Sequence, residues 1–232
     1  MNKEHFYLAL EKENIVLNET QKQQFNDYYQ LIYQYNQVMD LTNVYQEEEV
    51  YERHFYDSLS IAFKDDFNNC SLCDIGSGAG FPAIPLKIAF PNLKLTIIDS
   101  LNKRMNFLKK VVEQLNLTDV EIIVSRAEDV ANKLKEKYDI VTARAVAKLN
   151  VLAELCVSFV KVNGRFIALK GANGEEELKQ AQNALNTLNL KLEKTQNFYS
   201  DNILRINYFF IKTKSTDNKY PRPYAKIKKN PL

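Results

Sequence analysis

The chain has 232 residues, 45% of them hydrophobic and 26% charged, with a formal charge of +2. That is the balance of an ordinary soluble globule, long enough to bury roughly 70–75% of its unfolded surface, so one catalytic-size domain with a helical extension is expected. The apolar stretch Val151 to Val160 is broken by Glu154 and too short for a bilayer, and Met1 to Leu10 lacks a signal-peptide pattern, so a cytoplasmic protein without membrane contact is expected.

Residues 1 to about 65 read as helical. Phe25, Tyr28, Tyr29, Ile32, Tyr35 and Met39 recur at helical spacing and predict one buried face between Gln21 and Met39. After Leu41-Thr42-Asn43 a second helix, from about Glu47 to Phe63, should bury Tyr51, Phe55, Ser58, Leu59 and Ala62. His54 and Asp57 share the adjoining stripe, where the plain expectation is a surface pair. Cys70 and Cys73 form a C-x-x-C, but an extended segment points them to opposite faces, and no second cysteine pair exists to complete a metal site. The odd count of three cysteines fits a reducing compartment, and Cys156 among apolar residues reads as core.

From Cys70 onward, short apolar runs alternate with helical patterns, which predicts repeated βαβ units and a mainly parallel, Rossmann-like α/β sheet. Strands are expected at 71–75, 94–98, 120–124, 138–142, 164–169, 191–196 and 205–212. Helices are expected at Pro82 to Phe90, Lys103 to Leu115, Val130 to Glu136, Lys148 to Phe159 and Glu175 to Leu188. Seven strands match the count of class I S-adenosylmethionine-dependent methyltransferases. The organisation predicted is a helical extension over 1–65, the α/β domain over 66–214 and a basic tail over 215–232.

Asp74-Ile75-Gly76-Ser77-Gly78-Ala79-Gly80-Phe81-Pro82 follows the first strand, and Asp99 closes the second. Glycines let the backbone turn sharply and approach a ligand. The third glycine falls one residue short of a dinucleotide fingerprint, which favours S-adenosylmethionine over NAD. In such a sheet the ligand lies beyond the strands' carboxyl ends. Gly76 to Phe81 would cradle the methionine part, and Asp99 would accept hydrogen bonds from a ribose or cap the next helix. Arg126-Ala127-Glu128 would meet the adenine, Thr142-Ala143-Arg144-Ala145 would face the methyl, and Lys170-Gly171 forms the fifth end.

The fourth end lacks the Asn/Asp-Pro-Pro-aromatic clamp used for exocyclic amines, and Cys156 is a poor nucleophile for a pyrimidine carbon. A ring nitrogen such as guanine N7 needs neither, because its lone pair is already free. Arg144 and Arg126 could hold phosphate or the guanine O6 edge. From Lys219 to Leu232 there are five cations (Lys219, Arg222, Lys226, Lys228, Lys229), three prolines and no acid. Such a segment is expected to be extended or mobile, either as a solvated terminus or as a phosphate-binding arm.

The chain resembles the bacterial ribosomal small subunit methyltransferase G family, also called glucose-inhibited division protein B. The resemblance is carried by Met39 to Asn43, Arg53-His54-Phe55-Tyr56-Asp57-Ser58, Asp74 to Pro85, Ile98 to Arg104, Ser125 to Glu128, Thr142 to Ala145, Ala168 to Gly171 and Lys219 to Arg222. It implies N7-methylation of one guanine of 16S ribosomal RNA near the decoding centre, with S-adenosylmethionine as donor. Carried over by motif, Gly76, Ser77, Gly78, Phe81, Asp99, Ser100, Ala127, Glu128 and Arg144 would contact the donor, and Phe81 could be packing alone. His54, Asp57, Arg126, Arg144 and Lys170 would face the substrate. The implied partner is 16S rRNA or the small subunit, with no metal, and a monomer is expected. A small-molecule methyltransferase and a non-catalytic ribosome-binding module are the alternatives. Lys103, Arg104, Lys109, Lys110 and the tail argue against the first, and the intact glycines with Asp99 against the second.

Overall fold

The computed structural model describes residues 1–232. Strands β1 (Ser71–Ile75), β2 (Lys94–Asp99), β3 (Val120–Val124), β4 (Tyr138–Arg144), β5 (Val160–Lys170), β6 (Leu190–Ser200) and β7 (Ile203–Lys212) form one sheet in the order β3-β2-β1-β4-β5-β7-β6. Strands β1 to β5 pair in parallel, and β7 runs antiparallel to both of its neighbours. The order reverses between β1 and β4, so the crevice of such a sheet opens at the carboxyl ends of those two strands.

All strands but β6 feed two cores because side chains alternate across the sheet. Along β5, Ile167 and Leu169 enter one core while Phe166 and Ala168 enter the other. Cys70 packs against the first core and Cys73 lies in the second, as their spacing implies. The first core is covered by α1 (Lys3–Lys12), α2 (Glu19–Met39) and a helical run over residues 47–63, together with α5 (Ala83–Ala89) and α6 (Asn102–Gln114). A reciprocal capping box between Asn18 and Gln21 starts α2, and the Gln21 amide also donates to the carbonyls of Ile88 and Ala89 at 2.8 and 3.0 Å. One side chain thus caps its own helix and satisfies the end of another. The predicted apolar stripe of α2 is buried at Phe25, Tyr28, Tyr29 and Ile32.

The run over 47–63 is not a uniform helix. It comprises α3 (Glu47–Val50), a π-helical turn (Tyr51–Tyr56), α4 (Asp57–Leu59) and a 3₁₀ turn (Ser60–Phe63). Asp57, expected as half of a surface pair with His54, is buried instead.

On the second face, α7 (Ala127–Val130) starts directly after β3 and ends six residues before the expected Glu136, which adopts a left-handed φ of 53° as the chain turns into β4. Helix α8 (Leu149–Val157) is followed after β5 by two helices where one was predicted, α9 (Gly174–Gln180) and α10 (Gln182–Thr187); the break at Ala181 lets Ala181, Ala184, Leu185 and Leu188 share the core.

The expectation of an extended or mobile tail needs correction. Residues 224–229 form α11 (Tyr224–Lys229), and Tyr220 and Ile227 are buried in the second core. The segment cannot make a core alone, but it completes that of α8. Glu154, fully buried on α8, accepts hydrogen bonds from Arg222 N (2.9 Å), Nε (2.8 Å) and Nη2 (2.6 Å), and Ser158 Oγ donates to the Tyr220 carbonyl at 3.1 Å.

Candidate active site

The sequence after β1 turns because Gly76 and Gly80 hold φ of 71° and 106°, a region costly for side-chain-bearing residues. A Cβ on Gly76 would lie 2.5 Å from Val146 Cγ2, and one on Gly80 would lie 2.6 Å from the Tyr28 hydroxyl. That hydroxyl donates to the Ala79 carbonyl at 2.6 Å, so α2 buttresses the loop from behind. In front, Asp99 Oδ2 accepts from Gly78 N (3.2 Å) and Oδ1 from Leu101 N (2.9 Å), which ties the loop to the entrance of α6. An ionised carboxylate offers about four lone-pair sites, so acceptor capacity remains for two ligand hydroxyls.

A cavity of about 370 Å³ opens beyond the ends of β1, β2 and β3. Gly76, Asp99, Ser100, Arg126, Ala127 and Glu128 line it, with Ile98 and Leu155 supplying apolar wall. Its volume suits a nucleoside-sized ligand, and its wall mixes polar side chains, Asp99, Ser100, Ser125 and Glu128 among them, with apolar ones. A ribose at Asp99, a purine against Ile98 and Leu155 and an amino-acid end at the glycine turn would all find complementary groups, so these residues fit an S-adenosyl donor. Ser77, Gly78, Phe81 and Arg144 do not line this cavity. Ser77 is buried, and Gly78 contributes its N–H to Asp99. Phe81 packs behind the loop, stacked on His54 at 4.4 Å and near Tyr28 at 5.8 Å. Arg126, expected to face the substrate, stands at the rim of this cavity with its side chain 61% exposed.

A second cavity of about 480 Å³ adjoins the first, and Ala145 and Val146 line both. His54, Asp57, Arg144 and Lys170 meet here, joined by Arg53 and Arg205. Arg144 is the hub. Its Nη1 donates to Asp57 Oδ2 (2.9 Å) and to the Arg53 carbonyl (3.3 Å), its Nη2 lies 3.3 Å from His54 Nδ1, and its guanidinium carbon stands 5.0 Å from the Phe81 ring centre. His54 and Asp57 therefore do not form a surface pair; each faces Arg144.

The π turn explains why the Arg53 carbonyl is free. Asp57 N bonds to the Glu52 carbonyl, five residues back, and bypasses the Arg53 carbonyl that an α-helix would use. The released oxygen accepts from Arg144 and lies 3.1 Å from His54 Nδ1. His54 Nε2 is 2.8 Å from Thr42 Oγ1, an arrangement satisfied when Nδ1 carries the proton. Burial and the adjacent Arg144 push the His54 pKa down to about 3, so the ring is neutral at physiological pH. Lys170 Nζ donates to the Ala147 carbonyl at 2.9 Å and pairs with Glu177 at 2.6 Å, which fixes the loop after β4. Within that loop Ala145 holds a left-handed φ of 57° and delivers Val146 onto Gly76. Beneath the loops, burial pushes the Asp74 pKa up to about 7 against the pull of the Ser77 and Thr142 hydroxyls, Thr142 Oγ1 donating at 2.8 Å.

Sequence reasoning missed Arg53, Val146, Arg205 and Tyr224. Arg205 carried a signal, being the sole charged residue between Ile203 and Ile211 in an otherwise mostly apolar strand. Its guanidinium is partly engaged, with Nε 3.8 Å from Asp57 Oδ2.

The family model described as rRNA small subunit methyltransferase G matches residues 21–204. Ribosomal RNA small subunit methyltransferase G from Staphylococcus aureus strain Newman is 48% identical over 227 residues, covering 96% of this chain and 95% of the relative, and that of strain USA300 is equally similar. Among solved structures, M. jannaschii TYW2 in complex with AdoMet shares the fold at a TM-score of 0.56 and 18% identity, over 68% of this chain and 76% of that one. A SAM-dependent methyltransferase from Aquifex aeolicus does so at 0.53 and 17%, over 67% and 89%.

Proposed function

Because the chain belongs to the rRNA small subunit methyltransferase G family, we propose that it transfers the methyl group of S-adenosylmethionine to N7 of a guanine in 16S ribosomal RNA. The observation that carries this reading is the meeting of the two cavities at Ala145 and Val146: one suits the donor, and the other, lined by Arg53, Arg144, Lys170 and Arg205, suits a nucleotide.

When bound, the donor supplies a sulfonium methyl that is electrophilic without further activation. The N7 lone pair forms the new C–N bond as the C–S bond breaks, the C–S electron pair stays on sulfur, and the positive charge passes to the guanine ring. No proton has to be removed. The cavity accords with this, because its ionisable groups are already engaged: His54 with Thr42 and the Arg53 carbonyl, Asp57 with Arg144, Glu177 with Lys170. Cysteine nucleophiles are absent from its wall, and burial raises the thiols of Cys73 and Cys156 well above their ordinary range. What the protein contributes is alignment, and well-oriented reactants reach effective molarities on the order of 10⁵–10⁸ M. Asp99 would hold the ribose, Gly76 would let the donor approach the loop, and Arg144 and Arg205 would orient the base and its phosphate. The test is incubation with methyl-labelled donor and small-subunit RNA lacking the modification, followed by digestion to nucleosides. Label in 7-methylguanosine is expected; label in an adenine, a cytosine or another guanine position would contradict the assignment.

A further inference from the structure

Tyr224 is the one aromatic side chain in the wall of the donor cavity, whose other lining residues are small, aliphatic, hydroxylated or charged. It arrives from the C-terminal segment, whose composition suggests a solvated terminus or a phosphate-binding arm rather than part of a donor site. Its place is set by anchors on either side. Upstream, the Arg222 backbone and side chain bond to buried Glu154, and downstream Ile227 is fully buried. Leu155, next to Glu154 on α8, lines the same cavity, so anchor and wall share one helical turn. Tyr224 and Ile227 are three residues apart and therefore on one face of α11, while Lys226, Lys228 and Lys229 are exposed. A buried ion pair is a poor device for stability alone, since apolar packing would hold the segment as well. What Arg222–Glu154 does provide is register, and register decides which residue reaches the cavity.

We propose that Tyr224 is the stacking partner of the donor's adenine and that α11 completes the donor site, with its lysines left for RNA phosphates. This rests on the reading of the cavity as the donor site. A purine offers two flat faces, and the cavity offers aliphatic wall from Ile98 and Leu155 and one aromatic ring. Base–aromatic stacking tolerates loss of the hydroxyl but not of the ring.

The test uses the full chain and calorimetry with S-adenosylhomocysteine and, separately, with 5′-methylthioadenosine, which keeps adenine and ribose but lacks the amino-acid end. Tyr224→Ala should weaken both by a similar factor, on the order of tenfold. Tyr224→Phe should restore binding, Tyr224→Leu should not, and replacing Lys228 and Lys229 by alanine should lower RNA affinity while leaving both ligands unaffected. Should Tyr224→Ala unfold the segment, the contrast between Phe and Leu decides. Wild-type affinity in Tyr224→Leu, or a loss confined to RNA binding, overturns the proposal while the donor-site reading stands. Failure of the wild-type chain to bind either compound would sink the donor-site reading itself.

Discussion

The donor cavity is walled mainly by residues at strand ends, the small Gly76, Ala127 and Ala145 beside Asp99 and Glu128 among them, whereas the cavity beside it is walled by charged side chains that hold one another. The first is mostly local: apart from Leu155 of α8 and Tyr224 of α11, its lining comes from strand ends and the segments that directly follow them. The second is assembled across the chain, since the Arg144–Asp57 bond spans 87 residues and joins the helical run at 47–63 to the sheet. A cavity of the first kind should tolerate most side-chain changes apart from its few ligand-facing groups. One of the second kind should fail as a unit when its hub is removed.

The sharpest way to break the comparison is Arg144→Ala. Asp57 would be left buried with only the more distant Arg205 Nε, at 3.8 Å, as an ionic partner, and losing one partner of a buried pair costs up to about 3–5 kcal/mol. Methyl transfer should fall by more than about a hundredfold through lost alignment, while S-adenosylhomocysteine binding by the folded variant should stay within about threefold, because Arg144 does not line the donor cavity. Donor affinity lost in step with activity would show the two cavities to be one.

A second test separates their electrostatics. Asp74 lies under the glycine loop with its folded pKa raised to about 7, so its contribution to stability is complete below about pH 4 and is lost as pH rises through 7. His54 lies in the other network with its pKa depressed to about 3, so its contribution is complete above about pH 6.5 and is lost as pH falls towards 3. Between about pH 4 and 6.5 the two slopes oppose, each up to about 1.4 kcal/mol per unit. Urea midpoints at about pH 4.5 and 6 should therefore rise more steeply with pH in Asp74→Asn than in the wild type, and less steeply in His54→Gln. Parallel pH dependence in all three would refute this.

The smallest expected effect is that of Tyr28→Phe. It removes the hydrogen bond to the Ala79 carbonyl and should cost about 1 kcal/mol, seen as a lower melting temperature and a few-fold weaker donor affinity with RNA affinity unchanged. No change in donor affinity would mean that α2 does not support the glycine loop.

The same division governs what could be read from the sequence. Short apolar runs placed all seven strands, and Gly76 and Asp99 marked the donor cavity, because these signals lie within a few residues of what they specify. Side-chain periodicity is blind to the π turn: the one-residue shift in hydrogen bonding between Glu52 and Asp57 frees a carbonyl without disturbing the apolar pattern of Tyr51 and Phe55. Phe81 was legible as part of the loop motif, but its stacking on His54 depends on a helix 27 residues earlier packing behind that loop. The tail misled because its own composition is basic and proline-rich, while what docks it is Glu154 on a distant helix, which in the sequence only interrupts an apolar run.

The account stands most directly on where the donor's product binds. A crystal structure of the chain with S-adenosylhomocysteine should place the ribose hydroxyls on Asp99 and the amino-acid end at Gly76, with the thioether sulfur directed past Val146 towards Arg144. The ligand in the arginine-lined cavity, or anywhere away from Asp99, would contradict it.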